Sequence, residues 1–279
     1  MPPFHVHADV VLIMGSVEVL YLLALSRLGP RHVEPGERPA TRRQLVCFSA
    51  GVLTLAVGAL WPIHDLAERA LYSVHMVQHL LFTLVAPPLL LLGTPDWLAR
   101  TTLRPIWPVA RVLLRPVPAL LLFNALLVVT HWPLAVQLSL QHEPLHFLIH
   151  LVLVLSALVL WWPVLSPLAE IPRLSYPGQM LYLFLQSIVP TVPASFLTFG
   201  SGPLYPIYAT FPRVFGISVL TDQRIAGLLM KIGGGTVIWT VIALVFFRWW
   251  GAEHSAEPDT IEWQVMEREL NRRDRAARP

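Results

Sequence analysis

Long apolar stretches alternate with short polar connectors along most of the chain. Seven such stretches cover residues of about 8–28, 44–62, 73–93, 117–137, 145–163, 179–200 and 223–247. Each is close to the roughly 20 apolar residues that an α-helix needs to cross the hydrocarbon core of a bilayer. The pattern therefore predicts an all-α membrane protein, with a bundle of seven transmembrane helices over residues 1–250. A charged tail over residues 251–279 is predicted to follow the bundle.

The amino-acid composition supports the membrane assignment. Hydrophobic residues make up 55% of the chain and charged residues only 13%, and the mean hydropathy is +0.59. Soluble domains carry about 25% charged residues, so this chain has too few charges to cover a surface that faces water. The same composition excludes intrinsic disorder, because disordered chains are poor in hydrophobic residues.

The arginine residues predict the orientation of the bundle. Sixteen of them lie in the first, third and fifth connectors, at the end of the last span and in the tail, whereas Arg69, Arg213 and Arg224 lie on the opposite side. Because cytoplasmic loops carry an excess of basic residues, the N-terminus is predicted to be outside and the C-terminus cytoplasmic. The basic residues do not alternate with aromatic residues as in nucleic-acid binding proteins, so no nucleic-acid partner is expected.

Histidines are concentrated on the predicted outer side of the bundle, where nine of the eleven lie. His75 and His79 are spaced i, i+4, and so are His146 and His150. Residues with this spacing lie one above the other on a helix, so each pair is predicted to line one helix face. The two faces are expected to approach each other inside the bundle.

The depth of these residues indicates a metal site. Four donors fall at a similar level on four helices when the rise is 1.5 Å per residue: His79, His131, His150 and Met230. Imidazole with a thioether in a low-dielectric bundle is typical of a copper site, whereas imidazole alone also suits zinc or haem iron. The candidate metal ligands are His64, His75, His79, His131, His146, His150 and Met230. A hydrogen bond between helices is the alternative role for each histidine taken alone.

One motif in the chain points to a different chemistry and is rejected. Residues 142–146 read HEPLH, which matches the H-E-x-x-H pattern of zinc metalloproteases. That chemistry needs both histidines on one turn of a regular helix, but Pro144 is tolerated only in the first helical turn. His142 is therefore predicted to precede the helix. Because no nucleophile and base fall at the level of the histidines, the protein is not expected to be an enzyme.

The residues around the first histidine pair resemble a known family. The sequence YSVHMVQHLL over residues 72–81, followed by APP at 86–88 and LGTP at 92–95, is similar to the signature of the multi-pass CtaG family. The proteins of this family are cytochrome c oxidase assembly factors of bacterial membranes. Trp61 and Pro62, the second histidine pair, and DQRIAG over residues 222–227 with Met230 resemble further positions of the family. The resemblance extends over residues of about 10–250.

The resemblance implies a role in the maturation of a haem-copper oxidase. The protein would handle or deliver copper on the outer side of the bacterial cytoplasmic (inner) membrane, with oxidase subunits and membrane lipid as its partners. Lys231, directly after Met230, departs from the family pattern, and its positive charge opposes a metal ion there. Two alternatives stay open: a membrane cytochrome that binds haem b, and a copper transporter or resistance protein. The oligomeric state cannot be inferred from the sequence.

Overall fold

The computed structural model describes residues 4–255, 266–270 and 272–273, and these residues form helices without any strand. The helices of residues 8–255 are, in chain order, α1 (Ala8–Leu23), α2 (Arg42–Ala59), α3 (Ile63–Arg69), α4 (Tyr72–Leu80), α5 (Ala86–Gly93), α6 (Asp96–Leu103), α7 (Trp107–Leu113), α8 (Pro116–Thr130), α9 (Pro133–Gln141), α10 (Glu143–Leu165), α11 (Tyr176–Ile188), α12 (Thr191–Phe199), α13 (Val219–Leu228) and α14 (Gly234–Ser255). Of the predicted charged tail, residues 256–265, 271 and 274–279 lie outside the described residues.

Between five and seven segments of the described chain could cross a membrane. Five are long and apolar enough by themselves: Ala8–Arg31, Tyr72–Gly93, Glu143–Leu165, Tyr176–Phe199 and Val219–His254. Two bent pairs reach this length only if each pair counts as one span: α2 with α3, bent by 41°, and Asp96–Leu113 with α8, bent by 91°. The all-α membrane fold is thus confirmed, and the predicted seven spans are the upper end of the observed range.

The span of α4 and α5 is continuous, but it contains a π-helical turn over Leu81–Val85, directly after His79. Pro87 lies in the first turn of α5, and a proline has no N–H to donate to the carbonyl four residues earlier. That carbonyl belongs to Thr83, and it accepts a hydrogen bond from Trp161 Nε1 instead, at 2.9 Å. The widened turn therefore connects α4–α5 to α10 just beyond the histidines.

The predicted span over residues 117–137 is wrong at its end. Helix α8 ends at Thr130, and a separate helix, α9, begins at Pro133. A proline pushes the preceding residue towards an extended conformation, and Trp132 adopts one, with φ −65° and ψ 138°. As a result, His131 lies at the break between two helices and not inside a regular span.

Two clusters of buried apolar side chains occupy different ends of the bundle. We call the end at which α1, α4, α10 and α13 begin the N-terminal end. There, aromatic residues and methionines pack together, among them Tyr72, Met76, Tyr205, Tyr208 and Met230. A larger cluster fills the middle and the opposite end, with Phe123, Leu160, Trp161, Tyr182 and Leu183 at its centre. The polar residues of the predicted site lie at the N-terminal end.

Candidate metal centre

Helices α4 and α10 bring the two histidine pairs together. Within α4 the ring centroids of His75 and His79 are 4.3 Å apart, and within α10 those of His146 and His150 are 4.2 Å apart. His75, His79 and His146 are only 5–8% exposed. The i, i+4 spacing therefore produces two pairs of rings in tilted or edge contact, and these rings face the interior of the bundle.

The pairs contact each other across the two helices. His79 Nε2 lies 3.3 Å from His150 Nε2, and ring nitrogens of His75, His146 and His150 all lie within 4.8 Å of one another. Two ligands at 2.0–2.1 Å from a tetrahedral ion are about 3.3 Å apart, so small side-chain movements would let these nitrogens share one ion. His75 Nδ1 is buried and has no hydrogen-bond partner. A bound ion would give this unpaired nitrogen a partner.

His131 extends the cluster from the end of α8. Its ring centroid lies 5.2 Å from that of His79, and its Nδ1 donates to the carbonyl oxygen of Leu127 at 2.8 Å. Because a carbonyl can only accept, Nδ1 must carry the hydrogen and Nε2 is left with a free lone pair. The helix break at Pro133 thus leaves His131 with the tautomer that a metal ligand needs.

Met230 lies at a cavity beside the histidine cluster. It is buried, and it lines a cavity together with Met76, His79, His131 and Lys231. The cavity connects the thioethers to the side of the cluster formed by His79 and His131. Lys231 is one of the residues that line this cavity, although it is also exposed on the outside of the bundle.

His64 is linked to the cluster through an acidic residue that the sequence analysis did not select. His64 Nε2 lies 3.2 Å from Glu68 Oε1, and the same oxygen lies 3.1 Å from His146 Nε2. On the other side of the His64 ring, Gln78 Nε2 lies 3.3 Å from Nδ1. Sequence reasoning missed Glu68 because it falls in a polar connector, although its i, i+4 spacing from His64 on α3 was a usable signal.

A second acidic residue holds the N-terminal segment against α3. His7 Nε2 lies 2.9 Å from Asp65 Oδ2, and Asp65 is 3% exposed. The His7 and His64 rings are in edge contact, with centroids 4.7 Å apart. His7 lies directly before α1, outside any helix, and at the edge of the histidine cluster.

The start of α4 is capped by a residue far away in sequence. The residue before α4 is Leu71, which has no side-chain acceptor for the free N–H groups of the first turn. Asp222, fully buried in α13, accepts from the backbone N–H of Tyr72 at 2.7 Å and of Ser73 at 3.1 Å, and from the Ser73 hydroxyl at 2.5 Å. A carboxylate is also favoured at this end of the helix dipole. Asp222 thereby fixes the turn that leads into His75.

The connector over residues 200–218 covers the N-terminal end of the cluster. Gln223 binds it through two hydrogen bonds with the backbone of Tyr205, at 3.2 and 2.9 Å. The Tyr205 hydroxyl donates to the carbonyl of His131 at 2.8 Å, and the Tyr208 hydroxyl donates to that of Ala67 at 3.0 Å. Burial raises the pKa of Tyr205 to about 12 and the pKa of Tyr208 well above its usual range. Both hydroxyls therefore remain protonated donors at neutral pH.

The H-E-x-x-H match is not a metal motif in the structure. Helix α10 begins at Glu143, with Pro144 in its first turn, and His142 precedes it with φ −132° and ψ 98°. His142 is exposed, whereas His146 is buried in the cluster. The prediction that His142 precedes the helix is confirmed.

Comparison with known proteins gives one match, to the model of the cytochrome c oxidase caa3 assembly factor family (Caa3_CtaG), over residues 19–252. The matched range contains every predicted ligand from His64 to Met230, whereas His7 precedes it. No curated protein and no solved structure matches the chain.

Proposed function

The chain belongs to the cytochrome c oxidase caa3 assembly factor family, and from this premise we propose that it binds a copper ion in its histidine cluster and delivers that ion to the oxidase. Copper is in this proposal a cargo and not a resident cofactor, and the protein carries out no reaction on a substrate. The ion is received on the outer side of the bacterial cytoplasmic membrane, where the arginine distribution predicts the N-terminal end to lie.

The observation that carries the proposal is the triad of His75, His146 and His150, in which His75 and His146 are buried and His150 is partly buried. Their ring nitrogens lie within 4.8 Å of one another, and three imidazoles are a donor set that suits copper. Neutral imidazoles are cheaper to bury than charged ligands. An unpaired buried polar atom costs about 1–3 kcal/mol, and coordination would remove this cost at His75 Nδ1.

The structure gives less support to transport of the ion through the membrane. Transport needs a polar path from the cluster to the opposite end of the bundle. Below the histidines, Thr83 is bonded to Trp161, and Phe123, Leu160 and Leu183 are 1–2% exposed in the apolar cluster. These apolar side chains favour return of an ion held by the imidazoles towards the N-terminal end, as delivery to a partner on that side requires.

Haem b is likewise less well supported than copper. A porphyrin between two axial imidazoles needs a flat slot that separates their rings. The histidine rings instead pack directly on one another, with His79 and His150 at an interplanar angle of 79° and centroids 5.1 Å apart. A single small ion fits between nitrogens at these separations, and a macrocycle does not.

The test compares the double variant His75→Ala, His150→Ala with His142→Ala. The double variant lacks two triad ligands, whereas His142 is an exposed histidine at the same end of the bundle. Copper in the purified, detergent-solubilised proteins is measured by elemental analysis, and oxidase activity is measured in membranes. Loss of one group that merely supports a ligand lowers metal affinity by about 10–100-fold, so the double variant should retain less than about a tenth of the copper.

Oxidase activity should fall in the double variant and recover in part when excess copper is added to the growth medium. His142→Ala should resemble the wild type in both measurements. A double variant that is inserted in the membrane at the wild-type level, and that keeps wild-type copper content and oxidase activity, would show that the cluster does not handle copper.

A further inference from the structure

The histidines form a continuous line from the N-terminal segment to the buried triad. His7 contacts His64, with ring centroids 4.7 Å apart, and the His64 and His146 centroids are 6.0 Å apart. The His146 and His150 rings are in edge contact, with centroids 4.2 Å apart. The side chain of His7 is 14% exposed and that of His146 is 6% exposed, so the line runs from the margin of the protein to its interior.

The longest step in this line, between His64 and His146, is bridged by Glu68. Its Oε1 lies 3.2 Å from His64 Nε2 and 3.1 Å from His146 Nε2. Among the described ion pairs, Glu68 is the acidic residue that contacts two histidines. Its side chain is 21% exposed, whereas that of Asp65, which contacts His7, is 3% exposed. Glu68 therefore lies between the partly exposed histidines, His7 and His64, and the buried His146.

The distances suit the transfer of an ion from one neighbour to the next. Two ligands of one tetrahedral ion are about 3.3 Å apart, which is close to each of the two distances made by Glu68 Oε1. Glu68 can thus share an ion first with His64 and then with His146. A carboxylate also lowers the net charge of the passing ion, and a charge moving into a low-dielectric interior is otherwise costly.

We propose that Glu68 is the transfer ligand through which a copper ion passes from His7 and His64 to the buried histidine triad. This inference rests on the proposed copper-binding function. At each step one ligand bond to the ion forms while another breaks, and the ion keeps its oxidation state. A neutral imidazole takes the ion through Nε2 in the tautomer that carries its hydrogen on Nδ1, and an imidazole that is doubly protonated first releases one proton to water at the N-terminal end.

The N-terminal segment is held in place for this role by contacts other than those of its histidines. The Phe4 ring packs edge-on against Trp61, with centroids 5.4 Å apart. Within the segment itself, the His5 and His7 rings are also in contact, with centroids 5.5 Å apart. Since the family match begins at residue 19, this first part of the route belongs to residues outside the matched range.

The experiment measures the rate of copper uptake by Glu68→Gln and by Glu143→Gln. Both variants replace a carboxylate by an amide of the same shape at the N-terminal end. Glu143 is exposed in the first turn of α10 and makes no ion pair with the described residues. Purified protein in detergent is mixed with Cu(I) held by a coloured chelator, and the loss of the chelator complex is followed over time.

Glu68→Gln should slow copper uptake by about tenfold or more, since an amide is a poor metal ligand. Changes to groups that support a metal site typically lower metal affinity or activity by about 10–100-fold. Glu143→Gln should load at the wild-type rate. His7→Ala, which changes a partly exposed residue before α1, should slow uptake by a smaller factor. Thermal unfolding of each variant establishes that it is folded.

Wild-type protein that takes up no copper would overturn the proposed function and this inference with it. If the wild type takes up copper and Glu68→Gln loads just as fast, the proposed function stands and the transfer role of Glu68 is wrong. Equal slowing by Glu68→Gln and Glu143→Gln would likewise overturn it, because the effect would then come from general surface charge.

Discussion

The two ends of the bundle are held together by different kinds of interaction. At the N-terminal end, buried polar side chains connect distant segments: Asp222 caps α4, and the Tyr205 hydroxyl binds the carbonyl of His131. At the opposite end, α2 and α5 approach so closely at Gly93 that an added Cβ would lie 2.3 Å from the Phe48 nitrogen. At the first end, buried hydrogen bonds hold the segments that carry the histidines. At the second end, the main feature is close packing at Gly93, whose carbonyl also accepts a hydrogen bond from the Tyr21 hydroxyl at 2.8 Å.

Because of this difference, the interactions that position the histidines are not the same as those that contribute most to the stability of the opposite end. A hydrogen bond constrains direction and distance, which is what a set of ligands needs. Close packing contributes stability through many weak contacts, but it does not orient an imidazole. Changes at the N-terminal end should therefore alter copper binding together with stability, whereas changes at the opposite end should alter stability alone.

The largest effect is expected for Asp222→Ala. The change leaves two backbone N–H groups and the Ser73 hydroxyl without their buried acceptor, and hydrogen bonds to a charged group contribute about 1.5–3 kcal/mol each. We expect a loss of at least about 3 kcal/mol in the free energy of unfolding, together with loss of bound copper. Thermal unfolding and elemental analysis in detergent measure both.

The control for this variant is Asp96→Ala. Asp96 also lies in the first turn of a helix, α6, but at the opposite end and exposed. Its interaction with the helix dipole is worth about 0.3–1 kcal/mol, and it should not affect copper. Similar losses of stability in the two variants would contradict the role given to the Asp222 cap.

A smaller effect is expected for Gly93→Ala. The new Cβ would lie 2.3 and 2.6 Å from backbone atoms of Phe48, so α2 and α5 must move apart. Such overpacking costs about 1–3 kcal/mol, and copper per folded molecule should stay at the wild-type value. Gly235→Ala is the matched control, since nothing lies within 4 Å of its added Cβ. The alanine in Gly235→Ala should leave the stability unchanged or raise it. A reduced copper content per folded molecule in Gly93→Ala would contradict the distinction between the two ends.

The smallest effect is expected for Tyr205→Phe, which removes the hydrogen bond to His131. Its loss should cost about 1 kcal/mol at neutral pH. Because burial raises the pKa of Tyr205 from an ordinary 10.0 to about 12, the folded state favours the neutral hydroxyl. The contribution is full below pH 10 and is lost as the pH rises through 12.

The melting temperatures of wild type and Tyr205→Phe should thus differ most at pH 8 and converge between pH 10 and 12. Tyr176→Phe serves as control, since the Tyr176 hydroxyl makes no hydrogen bond within the described part of the chain. A constant difference between wild type and Tyr205→Phe at all pH values would show that Tyr205 acts by packing and not through its hydroxyl.

Local features of the site could be predicted from the sequence because they follow from helix geometry. The i, i+4 spacing gives each histidine pair a common face, and Pro144 determines that His142 precedes α10. The motif around His75 and His79 identified the family, which the match over residues 19–252 confirms. The role of each histidine as a copper ligand stays a prediction.

Other features could not be predicted because they depend on distances between remote segments. The Asp222 cap joins residues 150 positions apart, and no local pattern marks a helix start whose acceptor lies elsewhere. Glu68 resembles an ordinary charged residue of a connector until α3 folds against α10. Hydropathy also gave one span over residues 117–137, since most residues on both sides of Pro133 are apolar although the helix breaks there.

The Asp222 cap also sets a time order for the biosynthesis of the protein. A ribosome makes His75 and His150 well before Asp222, which follows His150 by 72 positions. At about 5–20 residues per second, the histidine helices wait roughly 4–14 seconds for the residue that secures the start of α4. A nascent chain in which α4 and α10 are already inserted therefore still lacks the cap that fixes the start of α4 in the candidate copper site. The centre is therefore completed only after translation has passed α13.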